Sequence, residues 1–230
     1  EAPPVIDSNS AIWELYNSKS SLLDADWYLL TLDNEKQRLV DYLYQKYKIP
    51  NYISPHLSFK GMNFENIDDF LFPKLKNLLP DPFVFQDLEK GVNRLAEEVL
   101  HSRPIGIFGD YDVDGATSAA LIANYLEYCG CKTFIHIPDR FLEGYGPNER
   151  ALKGLHEKGA ELILTVDCGI SSFEPLKAMS SVNLDLIVID HHIPDTVLPP
   201  AYAIINPKRI DTQKGFEDLC AAGVSFIFLI

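Results

Sequence analysis

Residues 105–115 read Ile-Gly-Ile-Phe-Gly-Asp-Tyr-Asp-Val-Asp-Gly, an apolar run that ends abruptly in carboxylates at alternate positions. Ile105, Ile107 and Phe108 predict a short buried strand, and Ala120, Ile122, Ala123 and Leu126 recur at helical spacing behind the acidic turn. Two later segments repeat the arrangement. Leu162–Val166 is an apolar strand followed by Asp167-Cys168-Gly169, and Leu184–Ile189 is another followed by Asp190-His191-His192.

Outward from these strands the chain alternates regularly. Helices are expected over Phe85–Leu100, ended by Pro104, over Thr117–Cys129, stopped by Gly130, over Asn148–Lys158, closed by Gly159, and over Phe173–Ser180. Thr133–Ile137 and Ala203–Ile205 predict two further strands. Strands alternating with helices at this interval predict an α/β fold, a mainly parallel sheet flanked by helices. The first 85 residues differ. Pro50, Pro55, Pro73, Pro80 and Pro82 cut an aromatic and Leu-rich text into short pieces, with helices expected over Asp33–Tyr47 and over Ile67–Leu79 behind an Asn66 cap. The expected organisation is therefore an N-terminal helical extension over 1–85 and an α/β domain over 86–230.

Composition narrows the chemistry. The chain has 230 residues, 47% hydrophobic and 23% charged, which excludes a disordered or collagenous chain. Twenty Lys and Arg against thirty-three Asp and Glu leave a net charge of −13, so a broad basic surface for duplex DNA is excluded and any nucleic-acid contact is expected to be local or to lie in residues outside this sequence. Cys129, Cys131, Cys168 and Cys220 form no C-x2-C pair and read as buried thiols. The apolar stretch 221–230 is far shorter than the ~20 residues that span a bilayer, and no basic-then-apolar leader opens the text, so a cytoplasmic protein with no membrane contact is expected. A start at Glu1 and a stop at Ile230 inside an apolar run predict a fragment of a longer protein.

In open α/β sheets ligands gather at the carboxyl ends of the strands, and three such ends here carry metal-type ligands. Crowding carboxylates in one crevice is costly unless cations neutralise them. Carboxylates with imidazoles suit Mn²⁺ and permit Mg²⁺ or Zn²⁺. Two metals ~3.5–4 Å apart serve phosphoryl chemistry, so phosphoester hydrolysis is the expected reaction. Simpler readings exist for each part. Asp-x-Asp-x-Asp-Gly opens calcium loops, but position twelve counted from Asp110 is Leu121, where an EF-hand needs Glu. Asp114 and Thr117 suit helix capping, Asp167 suits a turn, and paired histidines suit a surface. Their conjunction at successive strand ends favours the metal site.

The segments GDYDVDG (109–115), DCG (167–169) and DHH (190–192), in this order, resemble the first three motifs of the DHH phosphoesterase superfamily, a Rossmann-like fold. RFLEGYGPNERAL (140–152), INPKR (205–209) and LCAAGVSF (219–226) are similar to the RecJ-type single-strand-specific exonucleases, over a stretch from about Trp27 to the last residue. The resemblance implies a Mn²⁺- or Mg²⁺-dependent two-metal exonuclease acting 5′→3′ on single-stranded DNA in repair and recombination, with a single-strand-binding protein as a candidate partner. It implies Asp112, Asp114, Asp167 and His191 as metal ligands, Asp167 bridging two metals. Asp110 stands beside them, as a ligand or behind one. His192 is implied at the scissile phosphate, as a ligand or as a stabiliser of its charge, and Asp190 as the group orienting a histidine. Arg140 and the Gly144-Tyr145-Gly146 turn are implied in holding a phosphate or nucleotide, although a surface ion pair explains Arg140 nearly as well. Water would attack phosphorus in line, with the metals and His192 taking up developing charge.

Two departures stand out. Some superfamily members carry a histidine where this chain has Phe108. The family's fourth-motif aspartate and downstream substrate-binding domain are expected beyond Ile230, so an incomplete metal site and weak or no activity are expected of these residues alone. Two other readings compete: a phosphodiesterase for short oligonucleotides or cyclic dinucleotides, and a catalytically silent scaffold. The flanking segments oppose the first and the intact ligand set the second. A nucleotide-binding module lacks its G-x-G-x-x-G.

Overall fold

The computed structural model describes residues 32–79, 81–213 and 215–230, together with the backbone of 13–15 and 28–30. Residues 1–79 and 80–230 form two compact units. In the first, β1 (Trp13–Leu15) pairs antiparallel with β2 (Tyr28–Leu30), a ribbon that the helical reading of this region did not contain. Helix α1 (Asn34–Tyr47) starts at Asp33, whose carboxylate accepts from the Lys36 N–H at 2.8 Å. Short helices α2 (Ser54–Phe59), α3 (Ile67–Leu71) and α4 (Leu75–Leu78) follow. The single helix expected over Ile67–Leu79 is thus two, because Pro73 has no amide hydrogen to donate and drives Phe72 out of the helical region. Nor does Asn66 cap α3 with its side chain, which accepts instead from Asn63 N–H at 2.8 Å. Leu39, Leu43 and Ile67 form this unit's small core.

The second unit is a five-stranded parallel sheet with helices on both faces. Its elements run α5 (Leu88–Leu100), β3 (Ile105–Gly109), α6 (Val113–Tyr128), β4 (Thr133–His136), α7 (Glu149–Glu157), β5 (Leu162–Val166), α8 (Phe173–Ala178), β6 (Asp185–Ile189), β7 (Ala203–Ile205) and α9 (Ala221–Leu229). The sheet order is β4-β3-β5-β6-β7. Period-two alternation decides which face each residue serves. Ile105, Ile107, Leu162, Leu164, Val166, Ile187, Ile189 and Ile205 pack with α5, α6 and α9, whereas Phe108, Ile163, Leu186, Val188 and Ile204 pack with α7 and α8. Both faces are covered, which is why these strands read as apolar runs rather than alternating ones.

Two helix starts differ from the periodicity. Helix α6 begins at Val113, not Thr117, because Asp112 caps it by accepting from Gly115 N–H at 3.0 Å. The acidic turn is therefore already the helix's first turn. Helix α5 begins at Leu88, not Phe85, because Pro82–Val84 closes a 3₁₀ turn and Asp87 adopts a left-handed backbone at φ 61°.

Among the described residues no helix is long and apolar enough to cross a membrane. Leu164, fully buried on the central strand β5, is expected to cost about 2–5 kcal/mol when cut to Ala. Lys153→Ala, which removes only an exposed i,i+4 pair with Glu149, is expected to cost less than about 0.5 kcal/mol. Urea denaturation of the two variants checks both values.

Candidate metal centre

The chain reverses its direction of strand addition between β3 and β5, the point at which open α/β sheets form their ligand crevice. The next residue after each of β3, β5 and β6 is an aspartate. Each prolongs the sheet by one bond: Asp110 N–H donates to Val166 O at 3.3 Å, Asp167 N–H to Ile189 O at 3.0 Å and Asp190 N–H to Ile205 O at 3.1 Å. Three carboxyls thereby stand in a row at strand spacing, all buried. Asp167 sits in the left-handed region, at φ 61°, which an Asp tolerates better than most residues.

Helix α6 brings the rest of the first motif. Gly115 lies so close to the Asp110 backbone that a Cβ there would stand 2.5–2.7 Å from its O, N and Cα, so the last residue of the motif has to be glycine. That close approach swings Asp112 over the crevice. Carboxylate oxygens of Asp110, Asp112 and Asp167 lie within 4.8 Å of one another. Asp114 is placed differently: its two oxygens accept from Ala221 N–H at 2.7 Å and Ala222 N–H at 2.9 Å, capping α9, and one stands 3.6 Å from His191 Nε2.

The two histidines are each held by the same ring atom. His191 Nδ1 lies 3.1 Å from Leu219 O and His192 Nδ1 lies 2.7 Å from an Asp190 oxygen, and both partners can only accept. The proton therefore sits on Nδ1 in each ring, leaving the Nε2 lone pair for a cation. His191 Nε2 comes within 3.2 Å of Asp167 Oδ1. Ligand atoms of Asp167, His191 and His192 form a second set within 4.8 Å, so Asp167 belongs to both sets.

The electrostatics separate the aspartates. Burial pushes the Asp167 carboxyl up to about 8, with the neighbouring Asp114 and Asp112 carboxylates adding to the rise. Burial also raises Asp110. Burial acts on Asp190 in the same sense, but the His192 ring, the backbone N–H of His192 and that of Ile170 outweigh it and hold this carboxyl below the ordinary range. Its hydrogen bond raises the His192 imidazole in turn. Asp112 is lowered, first by the Gly115 N–H. Asp110 Oδ1 and Asp167 Oδ1 are buried with no hydrogen-bond partner, a costly state for carboxylate oxygens and the one that cation ligation relieves. An all-oxygen set and an oxygen–nitrogen set sharing one carboxylate fit a pair of divalent cations.

Tyr145 reaches the crevice from the loop after β4, donating its hydroxyl to Asp167 O at 3.3 Å and lying 3.4 Å from His192 Nδ1. Gly144 and Gly146 flank it with φ of 79° and 80°. Arg140 is exposed and stacks its guanidinium 5.5 Å from the ring centre of Tyr111. Tyr111, Leu219 and Asn206, whose side chain donates to His192 O at 2.9 Å, lie within the quoted motifs but carried no site role in the sequence reading. Asn206 carries a visible signal, a polar residue at the end of β7, whereas a main-chain carbonyl 28 residues from its histidine carries none.

A row of carboxylates and imidazoles on the strand ends of a parallel α/β sheet is a metal-centre architecture, and residues 104–230 match the model of the DHH family, N-terminal domain. The chain belongs to the DHH family. It is 38% identical over 146 residues to the single-stranded-DNA-specific exonuclease RecJ of Bacillus subtilis (strain 168), covering 64% of this chain and 19% of that protein. To RecJ of Escherichia coli (strain K12) it is 38% identical over 144 residues, covering 62% and 25%. Among solved structures it is similar to exonuclease RecJ bound to manganese, with TM-score 0.58 and 33% identity over 66% of this chain and 37% of that one. It is also similar to RecJ in complex with Mn²⁺ from Thermus thermophilus, with TM-score 0.64 and 25% identity over 84% and 26%. The chain thus spans about a fifth to a quarter of the curated relatives it matches.

A carboxyl raised to about 8 makes cation binding depend on pH. Without a cation, the Asp167 proton stabilises the fold fully below about pH 4, and that contribution is lost as pH rises through about 8. A divalent cation displaces the proton, so affinity is expected to weaken about tenfold per pH unit below 8 for one proton displaced. Calorimetric titration with Mn²⁺ between pH 6 and 8.5 checks this, and Asp167→Asn is expected to bind weakly with little pH dependence.

Proposed function

We propose that this chain is the catalytic part of a divalent-metal-dependent phosphodiester hydrolase, an exonuclease that degrades single-stranded DNA from its 5′ end in repair and recombination. The observation that carries the reading is the pair of buried oxygens on Asp110 and Asp167 that accept no hydrogen bond, within two ligand sets that share Asp167. The exonuclease relatives and the metal named in their solved structures support the substrate and the cofactor, Mn²⁺ or Mg²⁺.

In this reading Asp110, Asp112 and Asp167 hold one cation, and Asp167, His191 and His192 the other. The bound pair supplies Lewis acidity and an activated water to the phosphodiester. Asp114 holds α9 against the crevice and faces His191, so it either completes the second set or fixes that histidine. Asp190 holds His192 Nδ1 and so sets the tautomer and orientation of this imidazole, which in this reading also faces the scissile phosphate. Tyr145, held on Asp167 O, lines the approach of the strand, and Arg140 offers a cation to its phosphates from above Tyr111. The flanking glycines, open to close backbone approach, complete that turn.

Asp112→Ala and His191→Ala are each expected to lower hydrolysis by at least about 100-fold, the scale of a several-kcal/mol Lewis-acid contribution. The assay compares 5′- and 3′-labelled single strands, a blunt duplex and a dinucleotide with Mn²⁺, using the whole protein that carries this chain. Release of the 5′ label from single strands alone, lost in both variants, is expected. Cleavage of the dinucleotide alone would move the substrate to short oligonucleotides and leave the metal centre standing. No cleavage of any substrate would favour a silent scaffold.

A further inference from the structure

Asn206 is the first residue beyond β7 and is fully buried, an unusual place for a polar side chain unless both of its ends are used. Both are used. Its Nδ2 donates to the main-chain carbonyl of His192 at 2.9 Å, and its Oδ1 accepts from Lys208 N–H at 2.7 Å. Its own carbonyl accepts from the Thr212 hydroxyl at 3.2 Å and from Arg209 N–H at 3.4 Å. The loop over 206–212 is folded around this one residue, and its side chain reaches the main chain of His192.

Arg209 fastens the same loop to the edge of the sheet. Its guanidinium is buried, donating from Nη1 to Asp87 at 2.8 Å and to Ile204 O at 2.6 Å, and from Nε and Nη2 to the two oxygens of Asp211 at 2.9 and 2.7 Å. Asp87 also accepts from Ile204 N–H at 3.2 Å, so Asp87 and Arg209 together close the outer side of the edge strand β7. Sealing an edge accounts for Arg209 and Asp87. It does not account for the bond from Asn206 to His192, which spans two strand ends and reaches the segment presenting both imidazoles.

We propose that Asn206 is a positioning residue for the metal centre: it anchors the main chain at His192, and Arg209 acts through it by holding the loop in place. The inference rests on the hydrolase reading above for its catalytic consequence, but not for its effect on cation binding. On the β5 side the same segment is tied by Asp190, which accepts from Ile170 N–H at 3.0 Å and from His191 N–H at 2.7 Å. Asn206 supplies the tie on the β7 side. With one tie gone, the two rings keep their Nδ1 partners but lose their fixed placement beside Asp167.

Asn206→Asp tests this most sharply, because it keeps the shape and the bond from Lys208 while removing the donor to His192 O. Mn²⁺ affinity by calorimetry is expected to weaken about 10- to 100-fold in Asn206→Asp and in Asn206→Ala alike, the range for groups that orient metal ligands. On single-stranded DNA, kcat is expected to fall with KM within about twofold, since the strand is held elsewhere. Arg209→Lys is expected to show the same pattern more weakly, and Asn206→Asp/Arg209→Lys no more loss than Asn206→Asp alone. Wild-type affinity and kcat in Asn206→Asp would overturn the proposal, since the loop would then need only its shape. Additive losses in the double variant would overturn the part assigned to Arg209. If Asn206→Ala does not fold, Asn206→Asp carries the comparison. If the wild type binds Mn²⁺ but leaves single strands uncut, the hydrolase reading fails while the affinities still judge Asn206.

Discussion

Three hydrogen bonds that prolong the sheet by one residue govern this molecule. The N–H groups of Asp110, Asp167 and Asp190 donate to the last carbonyls of the neighbouring strands, Val166, Ile189 and Ile205. A parallel sheet twists and its strands are free to end raggedly, but here three neighbouring strands end in step and each delivers a carboxyl to one crevice. The position of the crevice follows from the sheet order, since the chain turns back between β3 and β5. Everything else at the site is fitted to this row, including the close approach of Gly115 and the left-handed backbone of Asp167.

Equivalent backbone positions do not give equivalent chemistry. Asp190 accepts from the N–H groups of His191, His192 and Ile170 and from the His192 ring, so its charge is satisfied by the protein and its carboxyl lies below the ordinary range. Asp110 and Asp167 each keep one buried oxygen that accepts no hydrogen bond, and burial raises both. The satisfied carboxylate holds the His192 ring, and the two less satisfied ones carry the oxygens suited to a cation. The division of labour within the row is a matter of how many donors the surrounding loops supply, not of residue type.

Much of this was legible in the text of the chain. Strands β5 and β7 occupy the expected residues, the parallel α/β sheet follows from the alternation, and the strand-end aspartates and histidines were identifiable as a set. Local chemistry that a periodicity reading overlooks explains the differences. The Asp112 cap starts α6 four residues before the apolar pattern does, and Pro73 divides a helix that the pattern alone continues. Both signals are in the sequence, but they act through one hydrogen bond or one missing donor rather than through repetition.

The sequence by itself determined which side chains stand at the strand ends, because an apolar run that stops at a carboxylate is decided by burial along a few consecutive residues. Only the tertiary structure decided what each of them does. The tautomer of His191 depends on a carbonyl at Leu219, the engagement of Asp114 on amides at Ala221 and Ala222, and the setting of His192 on Asn206. These partners come from segments far away in the chain, and hydrogen bonding is short-ranged and directional. A carboxylate's role is therefore settled by whichever loop the fold brings within about 3 Å of it, and spacing along the chain does not record that distance.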